Sequence, residues 1–138
     1  MTINEAQDAV VRDFGLLDDW IDRYQQIIDL GQALPPAPST LHDPANLIKG
    51  CQSRVWIECE FRNGCLYFHT DSDAVITKGI AALLIQVLNG HTPEEIAQAD
   101  LYMVKSIGLQ ENLSPTRANG LLAMVERIKA CALAHKTA

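Results

Sequence analysis

The sequence predicts an α+β fold: a small antiparallel β-sheet, built on a hairpin of strands at 55–62 and 65–71 with room for a third strand, packed against several helices. Three observations carry this expectation. "VWIECEFR" and "CLYFHTD" flank Asn63-Gly64, the strongest two-residue hairpin signal. On either side of them, apolar residues recur at helical rather than alternating spacing. The 138 residues contain no internal repeat, low-complexity tract or compositional break, so 1–138 is expected to be a single domain around one core.

The elements follow in order. Residues 3 to 30 suit one or two helices, with Leu17, Trp20, Ile21, Tyr24, Ile27 and Ile28 on one apolar stripe and Gly31 where a C-cap glycine belongs. Prolines 35, 36, 38 and 44 remove amide donors and oppose helix, which makes 34–53 a long irregular segment. Loops of that length in compact domains tend to be functional or disordered. With Asn63-Gly64 as the turn, Arg62 pairs with Cys65, Phe61 with Leu66, Cys59 with Phe68 and Ile57 with Thr70. Ile57, Cys59, Phe61, Leu66 and Phe68 then share an apolar face, and a slip of one residue would scramble it.

After the hairpin, Val75, Ile76, Gly79, Ile80, Leu83, Leu84, Val87 and Leu88 form a broad helical stripe. Asp71, Ser72 or Asp73 is its expected N-cap, and Gly90 closes it. Thr92, Pro93 and Glu95 make a capping box, and "DLYMVKSIGL" suits a short helix capped by Asp100. The last helix starts at Ser114-Pro115 and aligns Leu121, Met124, Val125, Ile128, Cys131 and Ala132 on one face.

Composition narrows the function. Seventeen acidic against eleven basic residues give a net charge of −6, the wrong sign for a nucleic-acid surface. No apolar run reaches spanning length and no leader opens the chain, so a cytoplasmic protein without membrane attachment is expected. In a reducing compartment structural disulfides are rare, and the four cysteines show neither a C-x-x-C pair nor a zinc-like spacing. Cys131 and Cys59 each fall on an apolar face and suit small buried hydrophobes. Cys65 lies on the opposite hairpin face from Cys59, so those two point apart, and with the cysteines spread over different faces no metal is expected.

Cys51 is different. In "NLIKGCQSRVW" it follows Gly50, precedes Gln52, Ser53 and Arg54, and ends the proline-rich loop, with Lys49 and Arg54 near enough in sequence to favour a thiolate. The residues alone leave it open between an idle thiol and a presented nucleophile. A Cys–His site would need a histidine and an orienting acid; His42 and His69 are the candidates, and neither sits in a recognisable signature.

"GCQSRVW" resembles the sulfur-accepting motif of the SufE family, which includes the CsdE branch. "LDDWIDRYQQIIDLGQALP", "DSDAVITKGIAALL" and "LSPTRANGLLAM" resemble further family segments, in order and over nearly the whole chain. The resemblance implies a SufE/IscU-like fold and a sulfur carrier. A cysteine desulfurase of the SufS or CsdA kind, holding pyridoxal phosphate, would pass persulfide sulfur to Cys51. The carrier would stimulate that enzyme and hand the sulfur to a SufBCD-like iron–sulfur scaffold complex. It would bind no cofactor itself and show little activity alone. A scaffold role is disfavoured, because the three spaced cysteine ligands of IscU-type proteins are missing. The resemblance also marks Arg117 and Asp73 as positions near the Cys51 loop, Arg117 to hold the loop or its anionic sulfur. A stand-alone thiol enzyme and a non-catalytic interaction module are the alternatives.

Overall fold

Capping chemistry sets where the helices begin. Thr2 and Glu5 form a reciprocal capping box that starts α1 (Ile3–Gly15), and the Asp19 carboxylate accepts from the Ile21 amide to start α2 (Trp20–Gln32). The 3–30 segment is therefore two helices, interrupted at the cap. A computed structural model describes residues 1–49 and 53–136 of the chain; Gly50, Cys51 and Gln52 lie outside the described residues.

Two expectations for α2 change. Ile21, placed on the apolar stripe, is 75% exposed, whereas Ile27 is fully buried. Gly31 does not end the helix, which runs on to Gln32 and is capped by Ala33. It lies instead where α2 crosses α3 (Val75–Leu88), and a Cβ on it would sit 2.9 Å from the Gly79 amide nitrogen. A Cβ on Gly79 would come within 2.6 Å of the Ile27 carbonyl carbon. Two glycines thus let two backbones touch, a closer approach than side chains allow.

The hairpin of β1 (Val55–Arg62) and β2 (Cys65–Ser72) has the expected register throughout, from Arg62 opposite Cys65 to Ile57 opposite Thr70. Asn63 and Gly64 turn it at φ of 54° and 81°, the left-handed pair this turn needs. Ile57, Leu66 and Phe68 are buried on the inner face, but Phe61, next to the turn, is 43% exposed and stacks on His135 near the end of the last helix. Among the described residues the sheet has two strands. In place of a third strand, single bridges join Leu47 to Trp56 and Leu66 to His91. The outer edge of β2 is closed by Asn89, whose side chain accepts from the Phe68 amide at 2.8 Å, and by the His91 carbonyl, 2.9 Å from the Leu66 amide.

None of the three residues expected to cap α3 does so. Ala74 occupies that position, Asp71 and Ser72 complete β2, and the Ser72 hydroxyl accepts from the Ala74 amide. Val75, expected on the buried stripe, is exposed, while the stripe from Ile80 to Leu88 forms the centre of the core. The Thr92–Glu95 capping box starts α4 (Pro93–Gln98) as expected. α5 (Met103–Ser106) is capped at Tyr102 rather than Asp100, and the Asp100 carbonyl receives the Gln7 side chain at 2.9 Å. Gln7 is buried and satisfied on both sides, since its carbonyl oxygen accepts from the Met103 amide. α6 (Pro115–Lys136) lies across α4 and β1, burying Leu121, Met124, Ile128 and Ala132.

Candidate functional site

The chain enters and leaves residues 50–52 through a stem held by hydrogen bonds. On one side the Ile48 amide donates to the Val55 carbonyl at 2.8 Å. On the other, the Arg54 amide donates to the Asp73 carboxylate at 3.0 Å, and the Asp73 amide returns a bond to the Arg54 carbonyl at 3.2 Å. Asp73 is thus a clasp rather than a helix cap: it extends the β-ladder past Val55 and pins the backbone three residues after Cys51. Upstream, Leu41 is fully buried and the Asn46 side chain ties back to the Thr40 and Leu41 carbonyls, so the proline-rich segment is anchored despite lacking regular structure.

Beside this stem lies a cavity of about 380 Å³. Ser53 borders it, together with Thr77 from the first turn of α3 and Ser114, Thr116, Arg117 and Gly120 from the start of α6. Two helix N-termini therefore face one small space. The starts of the two helices carry partial positive charge from their dipoles, and Arg117 adds a full one. The Ser114 hydroxyl accepts from the Arg117 amide, fixing the turn from which that side chain projects. Such surroundings favour an anion, a thiolate included.

The residues singled out from sequence divide accordingly. Ser53 and Arg117 border one cavity, Arg54 and Asp73 are bonded to each other, and Gly50, Cys51 and Gln52 lie outside the described residues. Sequence reasoning missed Thr77 and Thr116, which carry no signal beyond being polar residues in a helix's first turn. Ser114 reads from sequence only as a cap.

Both candidate histidines hold acids on the polar hairpin face. His42 is 2.7 Å from the Asp71 carboxylate and packs edge-on against Trp56, and His69 is 3.2 Å from Glu60. Asp71 also pairs with Lys78 at 3.3 Å. Partial burial alone would raise the Asp71 pKa, but bonds from His42, the Ser72 amide and Lys78 outweigh it and hold the carboxyl below its ordinary value. Among the described residues no histidine borders the cavity beside Ser53.

The other cysteines require a correction. Cys65 is free and half-buried on the outer face, pointing away from Cys59 as expected. Cys59 and Cys131, expected to be separate packed thiols, are joined in a disulfide with Cα atoms 6.8 Å apart. Each was placed on the apolar face of its own element, and α6 packs against β1 through those two faces, so the sulfurs meet. His135, one turn beyond Cys131, lies beside them.

Fold and cavity together define a helix-backed hairpin domain with a small space beside Ser53, lined by hydroxyls, Arg117 and the apolar Ile80 and Met124. The chain belongs to the SufE family: the family model, described as an Fe-S metabolism associated domain, matches residues 8–132 and associates the chain with iron–sulfur metabolism. An uncharacterized SufE-like protein of Rhizobium etli is 42% identical over 127 residues, covering 88% of this chain and 86% of the relative. A second from Rhizobium meliloti is 39% identical, covering 88% and 91%. The solution structure of a hypothetical protein from Thermus thermophilus shares the fold, with a TM-score of 0.80 at 22% identity over 96% of this chain and 97% of that one. Among the described residues no helix is long and apolar enough to cross a membrane.

Proposed function

We propose that this protein is a persulfide carrier that accepts sulfur on Cys51 from a cysteine desulfurase, stimulates that enzyme, and delivers the sulfur for iron–sulfur cluster assembly. In the transfer, the Cys51 thiolate attacks the outer sulfur of the donor's persulfide, the sulfur–sulfur bond of the donor breaks, and the donor cysteine leaves as thiolate. A new persulfide forms on Cys51 with no net oxidation. The step asks of the acceptor only an ionisable thiol that can reach its partner; the pyridoxal phosphate chemistry belongs to the desulfurase.

The observation that supports this reading best is the cavity next to Ser53, two residues from Cys51, bordered by two helix N-termini and Arg117. A space of that polarity suits the anionic sulfur before and after transfer. The clasp between Arg54 and Asp73 gives the acceptor loop a fixed stem from which to be presented. The receiver is then a scaffold complex of the SufBCD kind. A hydrolase using Cys51 with histidine finds less support, since His42 and His69 are both engaged with carboxylates away from that cavity.

The test incubates the protein with a SufS- or CsdA-type desulfurase and isotopically labelled cysteine, then maps sulfur gain by peptide mass spectrometry. Label on the Cys51 peptide and loss of desulfurase stimulation in Cys51→Ser are expected. A Cys51→Ser variant that takes up sulfur and stimulates the enzyme as the parent does overturns the proposal.

A further inference from the structure

The Cys59–Cys131 pair has a third member. Cys131 and His135 are one turn apart on α6, so both face β1, and the ligand-bearing atoms of Cys59, Cys131 and His135 lie within 4.8 Å of one another. We propose that, once the disulfide is reduced, these three side chains form a zinc site that is separate from Cys51 and mutually exclusive with the disulfide.

The geometry favours it. Two ligands of a tetrahedral zinc, one sulfur and one nitrogen, stand about 3.6 Å apart given the usual bond lengths. His135 Nδ1 is already 3.8 Å from Cys131 Sγ. Two zinc-bound sulfurs stand about 3.8 Å apart, a separation that rotation of the two cysteine side chains supplies once their bond is broken. The ligand set is also right: two thiolates and one imidazole hold zinc with a fourth position left for water. All three residues are half-buried, which leaves that position accessible.

The imidazole is held in place. Phe61 stacks on it at 5.2 Å between centroids, and Nδ1, which donates to the Cys131 carbonyl at 2.9 Å in the disulfide form, is the nitrogen turned toward the sulfurs. Zinc takes the place of that Nδ1 proton, leaving the ring protonated on Nε2. This also gives a use to Phe61, whose exposure at the hairpin tip the core does not explain.

The redox chemistry balances. A water-soluble phosphine attacks the disulfide and gives it two electrons; the disulfide becomes two thiols, the phosphine becomes its oxide, and water supplies the oxide's oxygen and the two thiol protons. Zinc binding then releases both thiol protons. Oxidation by a small-molecule disulfide reverses the change: two thiols become one disulfide, the oxidant becomes two thiols, and zinc is expelled.

Native mass spectrometry of the full chain with added zinc tests this, with cobalt as a spectroscopic probe of thiolate coordination. One zinc is expected per phosphine-reduced chain and none per oxidised chain. Cys131→Ser and His135→Ala should each weaken zinc by at least about a hundredfold, because losing even an outer-sphere partner costs 10–100-fold. Cys51→Ser and Cys65→Ser should each still bind one zinc with unchanged affinity. His135→Ala keeps both cysteines, so its fold can be checked in the oxidised state before reduction, and its comparison with the equally reduced parent chain decides the matter if Cys131→Ser does not fold. No stoichiometric zinc on the reduced chain, or unchanged affinity in His135→Ala, overturns the proposal. So does zinc that is lost in Cys51→Ser but kept in Cys131→Ser.

Discussion

Three charged residues carry separable tasks: Arg117 at the cavity beside Ser53, Asp73 at the stem and Asp71 on the polar hairpin face. Arg117 supplies the one full positive charge among the described residues bordering the cavity beside Ser53. Arg117→Ala should slow labelling of Cys51 by a neutral alkylating agent at fixed pH about tenfold, the range of a lost charge-assisted bond, and Arg117→Lys should recover part of it. Asp73→Ala removes the acceptor for the Arg54 amide. It should lower unfolding free energy by about 1 kcal/mol in urea titrations. Asp71 gives a pH dependence with a definite sign. Its folded pKa is lowered, so its contribution is complete above about pH 4 and is lost as pH falls through the folded value. Urea midpoints between pH 2 and 6 should therefore fall less steeply in Asp71→Asn than in the parent chain. At this scale Gly50, Lys49 and Arg54 single out Cys51 in the sequence but leave it open between an idle thiol and a nucleophile. The sequence did not reveal the work of Asp73, because an acid just before a helix looks like a cap whether or not it becomes one.

Among the elements, the hairpin was the most legible, because Asn63-Gly64 and the alternating faces leave only one register that buries Ile57, Leu66 and Phe68 together. The crossing of α2 and α3 was the least. A glycine near a helix end signals a cap, and the same glycine serves a close approach between backbones; only the partner distinguishes the two, and Gly79 is 48 residues away from Gly31. The crossing makes an ordered prediction. Gly79→Ala meets the Ile27 backbone, which cannot rotate away, and should cost about 3 kcal/mol or more. Gly31→Ala meets the Gly79 backbone at a longer distance and should cost less. Chemical denaturation of the two variants side by side gives the order. Thr92→Ala, which breaks the capping box of α4, should cost about 1 kcal/mol in the same experiment.

For the whole molecule, the decisive contact is the one between β1 and α6. Each face was predictable alone, but their meeting depends on how a 22-residue helix lies across the hairpin, which no local pattern encodes. The disulfide they form has a sequence separation of 72 residues. Closing a loop of that length removes unfolded-state entropy worth about 4 kcal/mol. Reduction in the presence of a chelator should therefore lower the urea midpoint markedly, and Cys59→Ser should show nearly the same loss without reductant. That loss does not involve Cys51, so it separates the stability of the fold from its sulfur chemistry.

The same bond changes what counts as a break in the chain. Asn63-Gly64, Asn89-Gly90 and Asn119-Gly120 are the type of peptide bond that hydroxylamine cleaves, and all three lie inside the ring closed by Cys59 and Cys131. A molecule cut at only one of them keeps both pieces covalently connected: it should migrate near full length on a non-reducing gel and fall into two fragments when the sulfurs are released, whereas a second cut frees the piece between the two cuts without reduction.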